Sequence, residues 1–375
     1  MSTYVDIHVI QSLPPSCVNR DDSGSPKSAV YGGVRRLRVS SQSWKRAARL
    51  YFNDLLDASD IGVRTKRVAE LLAARITEDA PEFAETAPSL AEGVFKAAKI
   101  KLSAPRNKKD GPLESGYLLF LSTSQIARLA ELAIAAARSG EALDAKAVKK
   151  IFKEAHAVDI ALFGRMVADN TDLNIDAACQ VAHAISTHAA QNEYDFFTAV
   201  DDEKSRSEEE DAGAGMMGTV EFSSATMYRY ATVNVDMLRH NLGDGQAALR
   251  ALEVFIRGFC LSMPTGKQNT FANRTLPEAI VVSIRDDQPV SLVGAFEEPV
   301  PEASGRGYVD RSVGALAQYT ETIEKNYGVT PLSSFVVALK DSDAVSSLGE
   351  RVSFANLPDR VRQVVAPRVS REEQA

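Results

Sequence analysis

Alternating apolar and polar residues mark several strands along the chain. Residues 4–10 alternate strictly, which predicts a half-buried strand. Residues 219–235 alternate in the same way over a longer stretch and give the clearest strand signal. Residues 279–285 are rich in Ile and Val, and residues 35–39 predict a short extended segment. Residues 180–187 favour a strand as well, although their small side chains leave a helix open.

Helical spacing of apolar residues begins after Ser40 or Ser41, either of which can cap a helix. The apolar positions of this helix are Trp44, Ala48, Tyr51 and Leu55. Residues 60–178 are rich in alanine and predict an inserted helical domain, and residues 246–261 predict an amphipathic helix that Pro264 stops. Residues 11–33 are rich in Pro, Ser, Asp and Gly, which is typical of a long loop.

Residues 191–218 differ from the rest of the chain. An aromatic cluster of Tyr194, Phe196 and Phe197 leads into an acidic run between Asp201 and Asp211 and then a glycine-methionine segment. We predict a protruding loop or hairpin. The glycines at 213, 215 and 218 match the dinucleotide-binding fingerprint, but a strand rather than a helix follows them, so we interpret them as a flexible hinge.

Without the two insertions, the predicted order is strand, helix, strand, strand, helix, strand. This is the order of the ferredoxin-like unit, which also underlies RNA-recognition domains. The predicted fold class is therefore α+β. We expect a ferredoxin-like, RNA-recognition-like domain over residues 1–59, 179–190 and 219–375, with the helical insertion at 60–178 and the protrusion at 191–218.

The charge of the chain is unevenly distributed. The formal net charge is −7, yet residues 20–49 carry a local balance of +6, and residues 96–109 hold six cations and no acid. Because the local field binds phosphate, this segregation favours a polyanionic partner, with a solvated basic face as the alternative. Three distant cysteines argue against disulfides or a Cys-based zinc site, and nothing suggests a signal peptide or membrane span, so we expect a cytoplasmic protein.

The strongest candidate chemistry lies on the helix after Ser40. Gln42, Lys45, Arg46 and Arg49 occupy mostly one side of it, and its N-terminus favours phosphate, which together favour nucleic acid. We expect neither a cofactor nor a metal site, since the histidines form no ligand pair with metal-binding spacing.

One enzymatic alternative remains open. Adjacent loop carboxylates at Asp21 and Asp22 could hold a divalent ion for a metal-dependent ribonuclease. Such a pair more often stabilises a turn or pairs with a local arginine.

Several motifs resemble the backbone subunit of the type I-E CRISPR Cascade surveillance complex, the CasC family. The most specific are PSCVNRDD at 15–22, RRLRVSSQSWKRA at 35–47, ALFGRM at 161–166, VAHAISTH at 181–188 and FTAVDD at 197–202. Shorter matches at 7–9, 221–224, 228–231 and 266–268 continue the same order.

The resemblance implies a shape like a right hand, with an RNA-recognition-like palm, helical fingers and a thumb hairpin. Copies would line up as a filament along the spacer of one CRISPR RNA, kink it at regular intervals and present it to target DNA. The other Cascade subunits would be partners, and the protein itself would be non-catalytic. Carried over by position, the RNA-binding residues are Arg20, Ser40, Gln42, Lys45, Arg46, Arg49, Met166, Phe197, Thr198, Lys267 and Gln268. Phe196 lies where the family can carry another aromatic residue.

Overall fold

The computed structural model describes residues 2–105, 111–199 and 216–371, with side chains to residue 369. The strands are β1 (Tyr4–Ser16), β2 (Ser28–Tyr31), β3 (Val34–Val39), β4 (Gly62–Thr65), β5 (Leu102–Ser103), β6 (Glu114–Ser115), β7 (Leu119–Ser122), β8 (Cys179–Val181), β9 (Ala184–Ser186), β10 (Glu193–Ala199), β11 (Met216–Asn234), β12 (Ala279–Arg285), β13 (Ser333–Ala338) and β14 (Glu350–Arg351). The helices are α1 (Ser41–Phe52), α2 (Val68–Asp79), α3 (Ala87–Ala97), α4 (Thr123–Ser139), α5 (Ala145–Lys153), α6 (Val158–Phe163), α7 (Val235–Leu242), α8 (Gly245–Leu261), α9 (Gln268–Phe271), α10 (Val309–Tyr327), α11 (Asp343–Ser347) and α12 (Leu357–Arg371).

A large sheet organises this α+β fold. Strand β1 lies between β12 and β11, and β11 pairs in turn with β8 and β9, all antiparallel. Along the chain these strands alternate with α1 and α8 in the predicted order of strand, helix, strand, strand, helix, strand. Strands β3 and β2 extend the sheet beyond β9, and β13 and β14 extend it beyond β12.

Both faces of β1 are covered, so the prediction of a half-buried strand is wrong. Val5, Ile7 and Val9 face the core under α1 and α8. The residues between them face a second core, which α10 covers; there Asp6 pairs with Arg285 at 3.1 Å. The alternation of apolar and polar residues still marks the strand correctly. The polar residues are buried, because partners within the protein take the place of solvent.

Residues 11–33 do not form one long loop as predicted. Strand β1 continues to Ser16, and β2 forms a hairpin with β3. Gly32 and Gly33, which join them, have φ angles of +59° and +76°. Two positive φ angles in a two-residue turn are what the twist of a tight hairpin requires, and glycine adopts them at little cost.

Helix α1 packs against α8 through its apolar side. Trp44, Ala48 and Phe52 are buried, whereas Tyr51 and Leu55 are only half-buried and Leu55 lies beyond the end of the helix, which corrects two predicted positions. Gly258 of α8 allows this approach, because a Cβ there would lie 2.7 Å from the Phe52 ring. The buried contact fixes which side of α1 remains free for a ligand.

The helical segment has a hydrophobic core of its own. Helices α2, α3, α4 and α5 contribute most of it, together with β7. Helix α6 instead packs Ala161 and Leu162 into the core under the large sheet. The domain boundaries given above stay a prediction.

The hairpin predicted within residues 191–218 is formed by β10 and the first part of β11. Every residue of β10 is exposed. The acidic run at 201–211 and the glycines at 213 and 215 lie outside the described residues, as does the tail from 372. No described helix is both long and apolar enough for a membrane crossing.

Candidate nucleic-acid interface

A cleft of about 720 Å³ lies where the loop after β1, helix α1 and the loop after α8 meet. We call it the arginine cleft, after Arg20, Arg46 and Arg274, which line it. Gln268 lines it too, so three predicted residues, distant in sequence, come together here. The three arginines form no ion pair with any described residue, which leaves their guanidinium groups available to phosphate oxygens.

Close backbone packing holds the two loops of the cleft together. A Cβ on Gly266 would lie 2.3 Å from the Val18 carbonyl oxygen, so this approach requires glycine. Burial raises the pKa of the Cys17 thiol, and the charges of Lys267 and Arg20 both act to lower it. Lys267 follows Gly266 directly, so the close packing at Gly266 places it beside the loop of Arg20, although it does not line the cleft.

The start of α1 is tied to the same loop by Asn19. Its side-chain oxygen accepts a hydrogen bond from the Ser40 backbone N–H at 2.9 Å. Ser40 occupies the N-cap position but makes no capping hydrogen bond with its side chain, contrary to prediction. The hydroxyl of Ser40 and the exposed side chain of Gln42 are thus left for a ligand at this end of the helix.

Lys45 and Arg49 lie on a different side of α1 from Arg46. The Lys45 Nζ lies 5.7 Å from the centre of the Phe163 ring, near α6. Arg49 forms an ion pair with buried Asp159 of α6 at 3.1 Å and stacks on the Phe120 ring. The predicted single basic face is therefore divided, and the charge of Arg49 is already compensated.

The basic run at 35–38 is mostly structural. Arg36 is fully buried and donates to the carbonyl oxygens of Ser186 at 3.0 Å and Phe296 at 2.8 Å. Arg38 is half-buried and donates to the Ser28 carbonyl oxygen. Arg35 is exposed and lines a second cleft of about 600 Å³ at the base of the hairpin. The local charge excess in the sequence thus overstated the positive surface.

Three aspartates offset the arginines of the cleft. Asp21, Asp22 and Asp54 line it, so its formal charges balance. One oxygen of Asp21 accepts hydrogen bonds from the Ser23 N–H and hydroxyl and from the Ser25 N–H. These bonds, with that from the Ser23 hydroxyl first, lower the pKa of Asp21. Chemically, the cleft offers donors for phosphate beside acceptors for ribose hydroxyl or base amino groups.

The turn bonds of Asp21 match the structural role that adjacent loop carboxylates more often have. In the described ranges, no three His, Cys, Asp or Glu side chains come together as ligands for one metal ion.

Met166 is 77% exposed although both its neighbours in sequence are buried. Arg165 donates to the Phe152 carbonyl oxygen at 2.6 Å and to that of Leu173 at 3.0 Å, and Val167 lies in the helical core. The anchored neighbours hold an apolar, polarisable side chain in solvent at a fixed place. Such a side chain can replace a stacking partner for a base.

The hairpin presents different side chains on its two faces. Phe197 lies across Gly218 and shares a face with Phe222, which contacts Phe271 of α9 at 6.0 Å between ring centres. Thr198 lies on the opposite face with Phe196 and Tyr194, and Tyr194 lines the second cleft. Phe197 and Thr198, both predicted at an RNA kink, therefore lie on opposite faces of the hairpin.

The model of the CT1975-like protein family matches residues 5–360. The chain belongs to the CT1975-like family. No curated protein matches it.

Two solved structures resemble this CT1975-like protein over nearly its whole length. A chain of a "CRISPR RNA-guided surveillance complex, pre-nicking" is 36% identical, with a TM-score of 0.86, over 96% of this chain and 99% of that chain. A chain of a "CRISPR RNA-guided surveillance complex" is 31% identical, with a TM-score of 0.76 and the same coverage. At these identities the likeness extends beyond the bare fold.

Sequence reasoning missed three residues of the arginine cleft in this CT1975-like protein. Arg274 adds an exposed cation, and Asn273 and Ser262 are nearly fully buried in its lining. Among the described residues, the Asn273 amide nitrogen and the Ser262 hydroxyl have no hydrogen-bond partner. Buried polar groups are rarely left unpaired, so these two mark the floor of the cleft as a place for a polar ligand. For Asn273 and Arg274 the only signal in the sequence is the polar stretch after Pro264, and Ser262, which precedes that proline, has none.

Proposed function

We propose that this CT1975-like protein is a CRISPR RNA-binding backbone subunit of a Cascade-type surveillance complex. The observation that carries the proposal is the 36% identity to a chain of such a complex over nearly the whole of both chains. The arginine cleft supports it independently, because guanidinium groups beside unpaired polar groups suit a ribose-phosphate backbone.

The RNA would run from the N-terminal end of α1 through the arginine cleft. Ser40, Gln42 and Arg46 would hold phosphates along the helix, and Arg20, Lys267 and Gln268 would do so from the two loops. Lys45 and Arg49 would contact the strand where it passes towards α6. Because Arg49 is bound to Asp159, its contribution to phosphate binding would be the smaller of the two.

Met166 and the hairpin would segment the strand. The exposed Met166 would act as a wedge between bases, and Phe197 would meet the RNA at a kink. We assign the kink to the face of Phe197 rather than to Thr198 or Phe196, because that face lies towards α9 and Lys267. The remaining bases would stay free to pair with target DNA, so that sequence choice belongs to the guide and not to the protein.

Assembly along the RNA would require copies of this chain in a filament, together with the large, small, handle-binding and guide-processing subunits. The motifs named above favour a type I-E complex in the cytoplasm. We propose no catalytic role for the chain. The turn bonds of Asp21 support this reading over the ribonuclease alternative.

Co-expression with a CRISPR array tests the proposal. We expect the purified protein to carry RNA of guide length, measured as an excess of absorbance at 260 nm that ribonuclease removes. The extracted complex should keep its RNA intact when Mg²⁺ or Mn²⁺ is added. Protein that assembles without nucleic acid would refute the proposed function, and metal-dependent cleavage lost in Asp21→Asn would refute the non-catalytic role.

A further inference from the structure

A cleft of about 800 Å³ lies in the helical segment, apart from the arginine cleft. It lies between the end of α3, the turn joining β6 to β7, and the loop that carries Met166. We call it the lysine cleft, after Lys96, Lys99 and Lys101, which line it with Tyr117 and two carboxylates, Glu92 and Asp169. Its volume is within the range of about 300–1,000 Å³ that small-molecule sites occupy.

The lysines outnumber the two carboxylates of the cleft, so its lining keeps a net positive charge. All three are exposed, and within the described part of the chain none of them forms an ion pair. The Asp169 carboxylate is already engaged, since it accepts a hydrogen bond from the Lys101 backbone N–H at 3.2 Å. The rim of the cleft therefore attracts an anion, while the half-buried Tyr117 ring offers an apolar surface below it.

Lys99 holds its place at a cost to the backbone. Its φ angle is +58°, in the left-handed region, and it ends α3 where glycine is usual. The turn is closed by a hydrogen bond from the Ile100 N–H to the Phe95 carbonyl oxygen at 2.9 Å. Glycine would end the helix with less backbone strain, so the helix end alone does not explain the lysine at the cleft rim.

The lysine cleft and Met166 share one loop. Asn170, four residues after Met166, donates a hydrogen bond to the Ala98 carbonyl oxygen at 2.9 Å. Asp169 lines the cleft and binds the Lys101 backbone. The segment that presents the exposed methionine is thus bound directly to the segment that presents the lysines.

We propose that the lysine cleft binds one nucleotide of a single strand beside Met166, with its phosphate on Lys99 and Lys101 and its base against Tyr117. This inference rests on the proposed function. A base that loses its stacking partner at Met166 needs another apolar surface, and this cleft offers one with cations at its rim. An acidic peptide would use the lysines but not the aromatic ring. The guide RNA and the target DNA strand share this chemistry, and the two arms of the test below distinguish them.

The test uses two binding assays, one with the protein purified without RNA and one with the protein loaded with guide RNA by co-expression. One arm measures the affinity of the RNA-free protein for a labelled guide strand, and the other measures the affinity of the loaded protein for complementary single-stranded DNA. In Lys99→Gly with Lys101→Ala, we expect a loss of about tenfold or more in at least one arm. Thermal stability should hold or rise, because glycine suits the backbone at position 99.

The ring is tested separately from the charges. Tyr117→Phe should bind as the wild type does, whereas Tyr117→Leu should lose about tenfold in the same arm, which is the size expected for one stacked base. Lys325→Ala with Lys340→Ala, which removes two exposed lysines elsewhere, is the matched control. If the wild type binds and the Lys99 and Lys101 variant keeps its affinity in both arms, the inference is overturned and the proposed function is not. A wild type that binds no RNA would overturn the proposed function with it.

Discussion

Replacing Arg20 and Arg46 together by alanine is expected to weaken RNA binding about 100-fold at low salt. Each arginine lines the arginine cleft without an ion-pair partner in the described part of the chain. A hydrogen bond to a charged group contributes about 1.5–3 kcal/mol, or roughly tenfold in affinity for each side chain at the lower end of that range. The log of the affinity against the log of salt concentration should lose about 0.7 in slope per phosphate contact, so about 1.4 for the pair.

Fluorescence anisotropy with a labelled guide strand at several salt concentrations measures both quantities. Lys325→Ala with Lys340→Ala removes the same number of charges away from the cleft and should leave the slope unchanged. If the arginine variant kept the wild-type slope, its two side chains would not contact phosphate, and the RNA path through the arginine cleft would be wrong.

Replacing Arg49 by alanine is expected to act mainly on stability. The side chain of Asp159 is 1% exposed, and burial raises the pKa of its carboxyl above the ordinary value. Arg49 and the Gly62 N–H offset part of that rise. Without Arg49 a buried charge is left unpaired, which costs about 3 kcal/mol of unfolding free energy, the lower end for a buried pair because Arg49 is partly exposed. Because Arg49 joins α1 to α6, the loss would loosen the attachment between the binding helix and the loop of Met166.

The pH dependence of this loss has a definite sign. Removing Arg49 raises the folded-state pKa of Asp159 further, so the folded state binds the proton more tightly than the unfolded state does. The folded variant therefore gains stability as pH falls through that raised pKa. The deficit relative to the wild type should be largest above that raised pKa and should shrink as the pH falls towards the ordinary pKa of an aspartate.

Denaturant unfolding of a double-mutant cycle checks this account. Adding Asp159→Asn to Arg49→Ala should restore part of the stability, because a neutral amide can still accept the Gly62 N–H bond. If the double variant were less stable than Arg49→Ala, or if the deficit did not change with pH, the pair would not hold these helices together. A large loss of RNA affinity in a variant of full stability would show that Arg49 acts mainly through phosphate contact and not through stability.

The main elements of the sheet could be predicted because their signals are local. Strands β1, β11 and β12 carry period-two or β-branched patterns, and α1 and α8 carry apolar residues at helical spacing. The hairpin of β2 and β3 was missed although Gly32 and Gly33 are a recognised turn signal. The composition of residues 11–33 is typical of a loop and conceals this turn signal.

Burial of charge could not be predicted in the same way. Arg36 is buried because its partners include the carbonyl oxygen of Phe296, 260 residues away along the chain. Likewise, Arg274 lines the same cleft as Arg20 because Gly266 lets one loop pack on the backbone of another. Such contacts depend on tertiary structure, so a cluster of cations in sequence does not reveal which of them face a ligand.

Photo-cross-linking tests the central claim most directly. Guide RNA carrying 4-thiouridine would be bound to the protein, irradiated and digested, and the linked peptides identified by mass spectrometry. The account predicts links to the segments at 18–24 and 262–274, which form the arginine cleft. Efficient links that fall only on other surfaces, with both of these segments free of RNA, would contradict it.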